Sequence, residues 1–203
     1  MLLPIYAYGH AVLRAKAKDI SPESPTPKEL TALIADMRET MYHARGVGLA
    51  APQIGESIRL FIIDTVQLEK EENGTDEAGF ANSTAKKNFV GMKQVFINAR
   101  ITEQSGKLWA YEEGCLSIPG IRGDVNRQPN ITIEYLDEHF KPHTARFDGI
   151  NARVIQHEYD HIEGVLFTDK LSAMKQRLIA RRLENIRIGR CEADYKMRFG
   201  RAK

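Results

Sequence analysis

The run Gln156-His157-Glu158-Tyr159-Asp160-His161 constrains this chain more than any other segment. Positions i and i+4 of an α-helix lie one turn apart on one face, so a helix here presents His157 and His161 together. Two imidazoles at that spacing can share one metal ion. Glu158, one residue after the first histidine, then reaches a water beside the ion rather than the ion itself. Read alone, the same run also fits two solvent-facing histidines on a polar helix.

A metal needs a third protein ligand, and the usual downstream histidine of zinc peptidases is absent. Position 164 is Gly, as that extended motif requires, but position 167 is Phe. The better candidate lies upstream, in Glu112-Glu113-Gly114-Cys115-Leu116-Ser117. Cys115 follows a glycine at the end of a strand-like run, where the backbone can turn and present a thiolate. Two imidazoles and one thiolate leave a position open, which is the catalytic rather than the closed structural arrangement. Two rival readings use the same residues. One is a zinc-dependent peptidase built on His157, Glu158 and His161. The other is a non-enzymatic module closed by a structural zinc, with Cys191 as a fourth ligand.

A third segment is Gly46-Val47-Gly48-Leu49-Ala50-Ala51-Pro52-Gln53-Ile54-Gly55. It lacks the Gly-Lys-Ser/Thr ending of a phosphate loop and the context of a dinucleotide fingerprint. Read alone it is a loop from the first helix to a strand. Its small residues admit close approach of a ligand, and the Gln53 amide offers N–H groups to an oxyanion.

The rest of the chain reads as one α+β domain over residues 1–203, with a mostly antiparallel sheet packed around the histidine-bearing helix and a C-terminal helix. Thr26-Pro27-Lys28-Glu29 is a helix start with a capping box, and Leu30, Leu33, Ile34, Met37 and Met41 continue it at helical spacing. Strands are expected at 59–64, 95–99, 107–113, 130–136 and 143–147. Residues 68–94 read as a long exposed polar insertion. Asp148 is expected to cap the histidine helix, with Gly164 as its stop, and a third helix is expected from about Leu171.

Hydrophobic residues make up 42% and charged residues 28% of the 203, which suits a soluble globular chain and argues against disorder. Two cysteines are too few for a disulfide framework, so a reducing compartment is expected. Met1-Leu2-Leu3-Pro4-Ile5 has no basic region or small-residue cleavage site, and no apolar run reaches membrane-spanning length. The expectation is a cytoplasmic protein with no membrane partner. The net charge of +2 hides an asymmetry, because residues 170–203 carry eleven Lys and Arg against three acidic residues. A basic helix and tail of that kind is a handle for a phosphate-rich surface, without sequence-specific reading of nucleic acid, or else a solvated face.

Taken together, G-V-G-L-A-A-P-Q, E-G-C-L-S and Q-H-E-Y-D-H resemble the three signature motifs of the peptide deformylases, in the same order. The resemblance runs from about Tyr8-Gly9 to the third helix. It implies that Cys115, His157 and His161 bind one divalent ion, commonly Fe(II), with zinc, nickel or cobalt also accepted. It implies Glu158 as general acid/base, and Gln53 with the backbone N–H of Leu116 as the holders of the formyl oxygen. Gly48 would line the peptide cleft, Val47 would help wall a methionine pocket, and Arg122 would sit near the mouth. The implied reaction removes the formyl group from the N-terminal methionine of nascent peptides, releasing formate, and the implied partner of the basic tail is the ribosome surface. Because that tail lies outside the three motifs, its removal after about Arg187 is expected to spare turnover of short formyl peptides. The segment Gly9-His10-Ala11 departs from the family, which more often has Asp-Pro after the glycine. Gly120 also departs, standing where many relatives carry a polar residue.

Overall fold

A computed structural model describes residues 1–70 and 89–200 of the chain. Its centre is a five-stranded sheet, ordered β2 (Gly48–Ala50), β3 (Leu60–Asp64), β4 (Lys93–Ser105), β7 (Asn130–Leu136), β8 (Pro142–Asp148), with every neighbouring pair antiparallel. β3 is Leu-Phe-Ile-Ile-Asp and is buried along its whole length, because helices cover both faces at that point. β7 alternates buried and half-exposed residues, as the pattern Ile131, Ile133, Tyr135 requires.

Helix α1 (Pro27–His43) starts at Thr26 with the complete capping box anticipated from the sequence. Leu30, Ile34, Met37 and Met41 go into the core beside Leu49, Leu60, Ile62 and Val95. The opposite face of the sheet carries α3 (Gly149–Ile162), whose Ile150, Ala152, Val154, Ile155 and Ile162 pack with Phe61, Phe96 and Ile133. The histidine helix is thus clamped between the main sheet and a second layer. That layer is the two-stranded hairpin β5 (Trp109–Cys115) and β6 (Ile118–Arg127). Helix α4 (Ala173–Arg187) lies over the hairpin and buries Ile179, Leu183 and Ile186 against Ile121 and Val125.

Several expectations need correction. The glycine-rich segment is not a plain loop: it supplies edge strand β2 and then a 3₁₀ turn, Ala51–Ile54, all of it buried. Strand β6 went unanticipated because two of its inward positions are Gly123 and Arg127, which hide an otherwise regular alternation. Asp148 occupies the residue before α3 but makes no side-chain cap; α4 starts close to where it was expected, capped by Ser172. Of the polar segment expected at 68–94, helix α2 (Val66–Lys70) includes the start and β4 includes Lys93 and Gln94. Residues 71–88 lie outside the described residues.

The last correction concerns the C-terminal tail. Beyond α4 the chain turns at Gly189 and runs back to form β9 (Met197–Arg198), paired in parallel with β1 (Ile5–Tyr6). Cys191, Met197 and Phe199 pack onto the cluster beneath the hairpin, while Glu192, Asp194, Lys196 and Arg198 face outward. This alternation is that of a strand rather than of a loose basic tail.

Candidate metal centre

Three ligand atoms converge from two elements. Cys115 ends β5, and His157 and His161 sit one turn apart on α3; one donor atom from each lies within 4.8 Å of the others. Cys115 Sγ is 3.2 Å from His161 Nε2. The rings of the two histidines stand nearly perpendicular at 79°, with centroids 5.2 Å apart. Burial holds the His161 ring well below its ordinary pKa and therefore neutral, the form that ligates. The donor set itself, two imidazoles and a thiolate with no fourth group among the described residues, fits a divalent ion with an open position. Cys191 is not part of the cluster, which removes the support for a closed structural site.

The His157 ring is oriented from behind. Its Nδ1 lies 3.0 Å from Glu113 Oε2, leaving Nε2 for the cluster. Glu113 in turn accepts two hydrogen bonds from Arg127, at 2.7 and 2.8 Å, and one from Arg153 at 2.9 Å. Burial by itself would raise the Glu113 carboxyl, but Arg127 and His157 overcome it and hold the group well below the usual carboxylate range. Arg127 also reaches Asp160 at 2.6 Å, one turn further along the same face of α3. Glu113 was not singled out from the sequence. The available signal was the strand period, which places it on the same buried face as Cys115, together with Arg153 one helical turn before His157.

Glu158 is 4% exposed, and its Oε2 has no hydrogen-bond partner among the described residues. Burial pushes its carboxyl up to about 7. A Cβ at Gly48 would overlap this carboxylate, so the glycine in β2 is what leaves it room. Gln53 is fixed by accepting the Ala50 N–H at 2.8 Å, and its amide nitrogen points at Cys115 Sγ and Ser117 Oγ, both at 3.4 Å. These groups line a cleft of about 790 Å³ that also includes Val47, Leu116, Tyr111, Ile150, Val154 and Arg122. Every sequence-derived candidate is therefore either at the cluster or on the wall of one cleft. Glu192, Ala193, Asp194 and Tyr195 of the C-terminal segment also line it, so residues outside the three motifs border the cleft.

The family model for polypeptide deformylase matches residues 2–177. The chain belongs to the polypeptide deformylase family. Peptide deformylases of Christiangramia forsetii and Flavobacterium johnsoniae are 54% and 52% identical to it, each over all of this chain and 98% of the relative. A crystal structure of a peptide deformylase from Legionella pneumophila superposes with a TM-score of 0.73 at 36% identity, covering 91% of this chain and 95% of that one. The Arabidopsis thaliana peptide deformylase 1B gives 0.75 at 32% identity, over 91% and 90%. The peptide deformylases are metal-dependent hydrolases, and the Cys115, His157 and His161 cluster is where this member can hold its ion. Residues 178–203 lie beyond the matched family segment.

Proposed function

We propose that this cleft hydrolyses the formyl amide at the N-terminal methionine of nascent peptides, with Cys115, His157 and His161 holding one Fe(II). Zinc, nickel and cobalt are the other ions the donor set accepts. The ion, when bound, polarises the formyl group and acidifies a water molecule. The residues do the rest. Glu158, raised to about 7 and aimed unpartnered into the cleft, takes the proton from the attacking water. It then delivers that proton to the amide nitrogen as the C–N bond breaks, leaving formate and a free amine. The Gln53 amide and the Leu116 N–H hold the formyl oxygen as it gains charge. Val47, with Ile150 and Val154 one turn apart on α3, offers apolar lining for a methionine side chain. Gly48, in edge strand β2, presents backbone to an extended peptide, and Arg122 stands at the mouth.

The observation that carries this reading is the conjunction of a buried, unpartnered carboxylate with a Cys-His-His donor set in one cleft. Formate release from a formyl-Met peptide, by anaerobically prepared protein of measured metal content, tests it. An acetyl-Met peptide is the control that should not react. Absence of formate from fully loaded protein would remove the reading.

Among the described residues no helix is long and apolar enough to cross a membrane. We place the enzyme in the cytoplasm and in contact with the ribosome surface. The contact face we assign is a stripe of α4 in which Met174, Arg177, Leu178 and Arg181 are all exposed, Met174 and Leu178 by 72% and 70%. Their spacing, i, i+3, i+4 and i+7, puts them on one face. Binding through such a face must weaken as salt rises and read no base sequence.

A further inference from the structure

The hairpin β5–β6 turns at Leu116 and Ser117, with Cys115 opposite Ile118 as the last pair. This tip carries two groups of the proposed chemistry, the Cys115 sulfur and the Leu116 N–H. A carbonyl at such a tip has no partner in the hairpin ladder and ordinarily faces water. Here both tip carbonyls are taken by protein. Ser117 O accepts the Tyr8 N–H at 2.9 Å, and Leu116 O accepts the Tyr195 hydroxyl at 2.7 Å. Tyr8 follows β1 and Tyr195 precedes β9, and these two strands are zipped together by Ile5 N–H to Lys196 O and Ala7 N–H to Arg198 O, at 2.8 and 2.9 Å. The two ends of the chain thus form one ribbon whose adjoining residues grip the tip of the hairpin.

We propose that Tyr195 is a positioning residue for deformylation, acting through the Leu116 carbonyl. The proposal rests on the roles given above to Cys115 and Leu116. The Cys115–Leu116 peptide plane, which bears the oxyanion-binding N–H, lies between the metal-ligating sulfur and the tethered Leu116 carbonyl. The residues on either side of it are thus held, Cys115 through its sulfur and Leu116 through its carbonyl, which narrows the range of orientations open to that plane. The tether comes from a segment beyond the matched family region, and that segment also forms a wall of the cleft through residues 192–195. Burial keeps the phenol protonated, so it remains a donor. Its hydroxyl is bonded to the Leu116 carbonyl rather than to a ligating atom, so the effect assigned to it passes through backbone orientation.

Tyr195→Phe removes the hydroxyl and keeps the ring. Loss of one such hydrogen bond corresponds to about a fivefold effect. The expected result is a kcat lowered by about that factor on a short formyl-Met peptide, with KM unchanged within about twofold and Tm nearly that of the parent. The cobalt-loaded variant should also show a displaced thiolate-to-metal charge-transfer band, which reports Cys115 geometry independently of turnover. Deletion of residues 191–203 should reproduce both effects at least as strongly. Unchanged kcat and an unchanged cobalt spectrum in Tyr195→Phe would overturn the proposal. So would an effect confined to KM, which would make Tyr195 a substrate contact. If the parent itself releases no formate, the functional reading has failed, and the cobalt spectrum still decides whether Tyr195 orients Cys115.

Discussion

Single side chains carry most of the chemistry assigned to this cleft, and they can be separated by substitution. Glu158 Oε2 has no hydrogen-bond partner among the described residues, so Glu158→Ala removes a proton carrier without breaking a bond at that oxygen. Formate release should fall at least ~10²-fold, the scale for loss of a general acid/base, while metal content and Tm hold. Near-parental turnover of the alanine variant would take that role from Glu158. The two cysteines provide an internal control. Cys115 lies in the ligand cluster and Cys191 packs against the apolar cluster under the hairpin. Metal analysis should therefore find depleted stoichiometry in Cys115→Ala and full stoichiometry in Cys191→Ala. Equal metal in the two variants would dismiss Cys115 as a ligand. These residues were legible in sequence because their spacing is local: one helical turn separates the histidines, and a Gly-Cys step ends a strand.

At the scale of elements, the site depends on how α3 is joined to the hairpin. Glu113 from β5, Arg127 from β6 and Arg153 from α3 are all 5% exposed or less, and His157 completes the group. Removing one partner strands the other charges in a water-poor layer. Glu113→Gln should therefore cost about 3–5 kcal/mol in urea unfolding, far more than an exposed pair. It should also weaken metal binding by about 10- to 100-fold, as His157 loses the group that orients it. A stability change below 1 kcal/mol would mean that the layer is better hydrated than its burial implies. The β7–β8 turn supplies a separate, pH-dependent test. Asp137 accepts from His143 at 2.7 Å and from the backbone N–H groups of His139 and Lys141, and these hold its carboxyl down at about 2. A carboxyl depressed in the folded state stabilises above its unfolded pKa of about 4, and the gain disappears as pH falls toward 2. Asp137→Asn should therefore unfold at lower temperature than the parent at pH 6, with the gap closing between pH 4 and 2. A gap independent of pH would assign the effect to packing.

At the scale of the whole molecule, the core is expected to persist when the ion is removed. Three apolar clusters, built on pairs such as Phe61 with Phe96 and on α1, α3 and α4 against the strands, include no ligand histidine. Chelation should accordingly abolish formate release while far-UV circular dichroism keeps its shape, with Tm lowered only by the lost binding energy. Collapse of the spectrum on chelation would instead restore the reading of a structural site. The sequence by itself determined the α+β class, the capped first helix, the long buried and alternating strands, and the candidate cluster of Cys115, His157 and His161 with its carboxylate neighbour. Each of these is written in a period of 2 or 3.6 residues, or in a motif a few residues long. Only the tertiary structure decided that Gly46–Gly55 is an edge strand and a buried turn, and that Glu113 orients His157 from 44 residues away. It also decided that the basic C-terminal segment folds back so that Tyr195 meets Leu116 across 79 residues. Such contacts pair groups far apart in the chain, and their energy exists only once the core has brought the partners together. No local pattern of side chains encodes them.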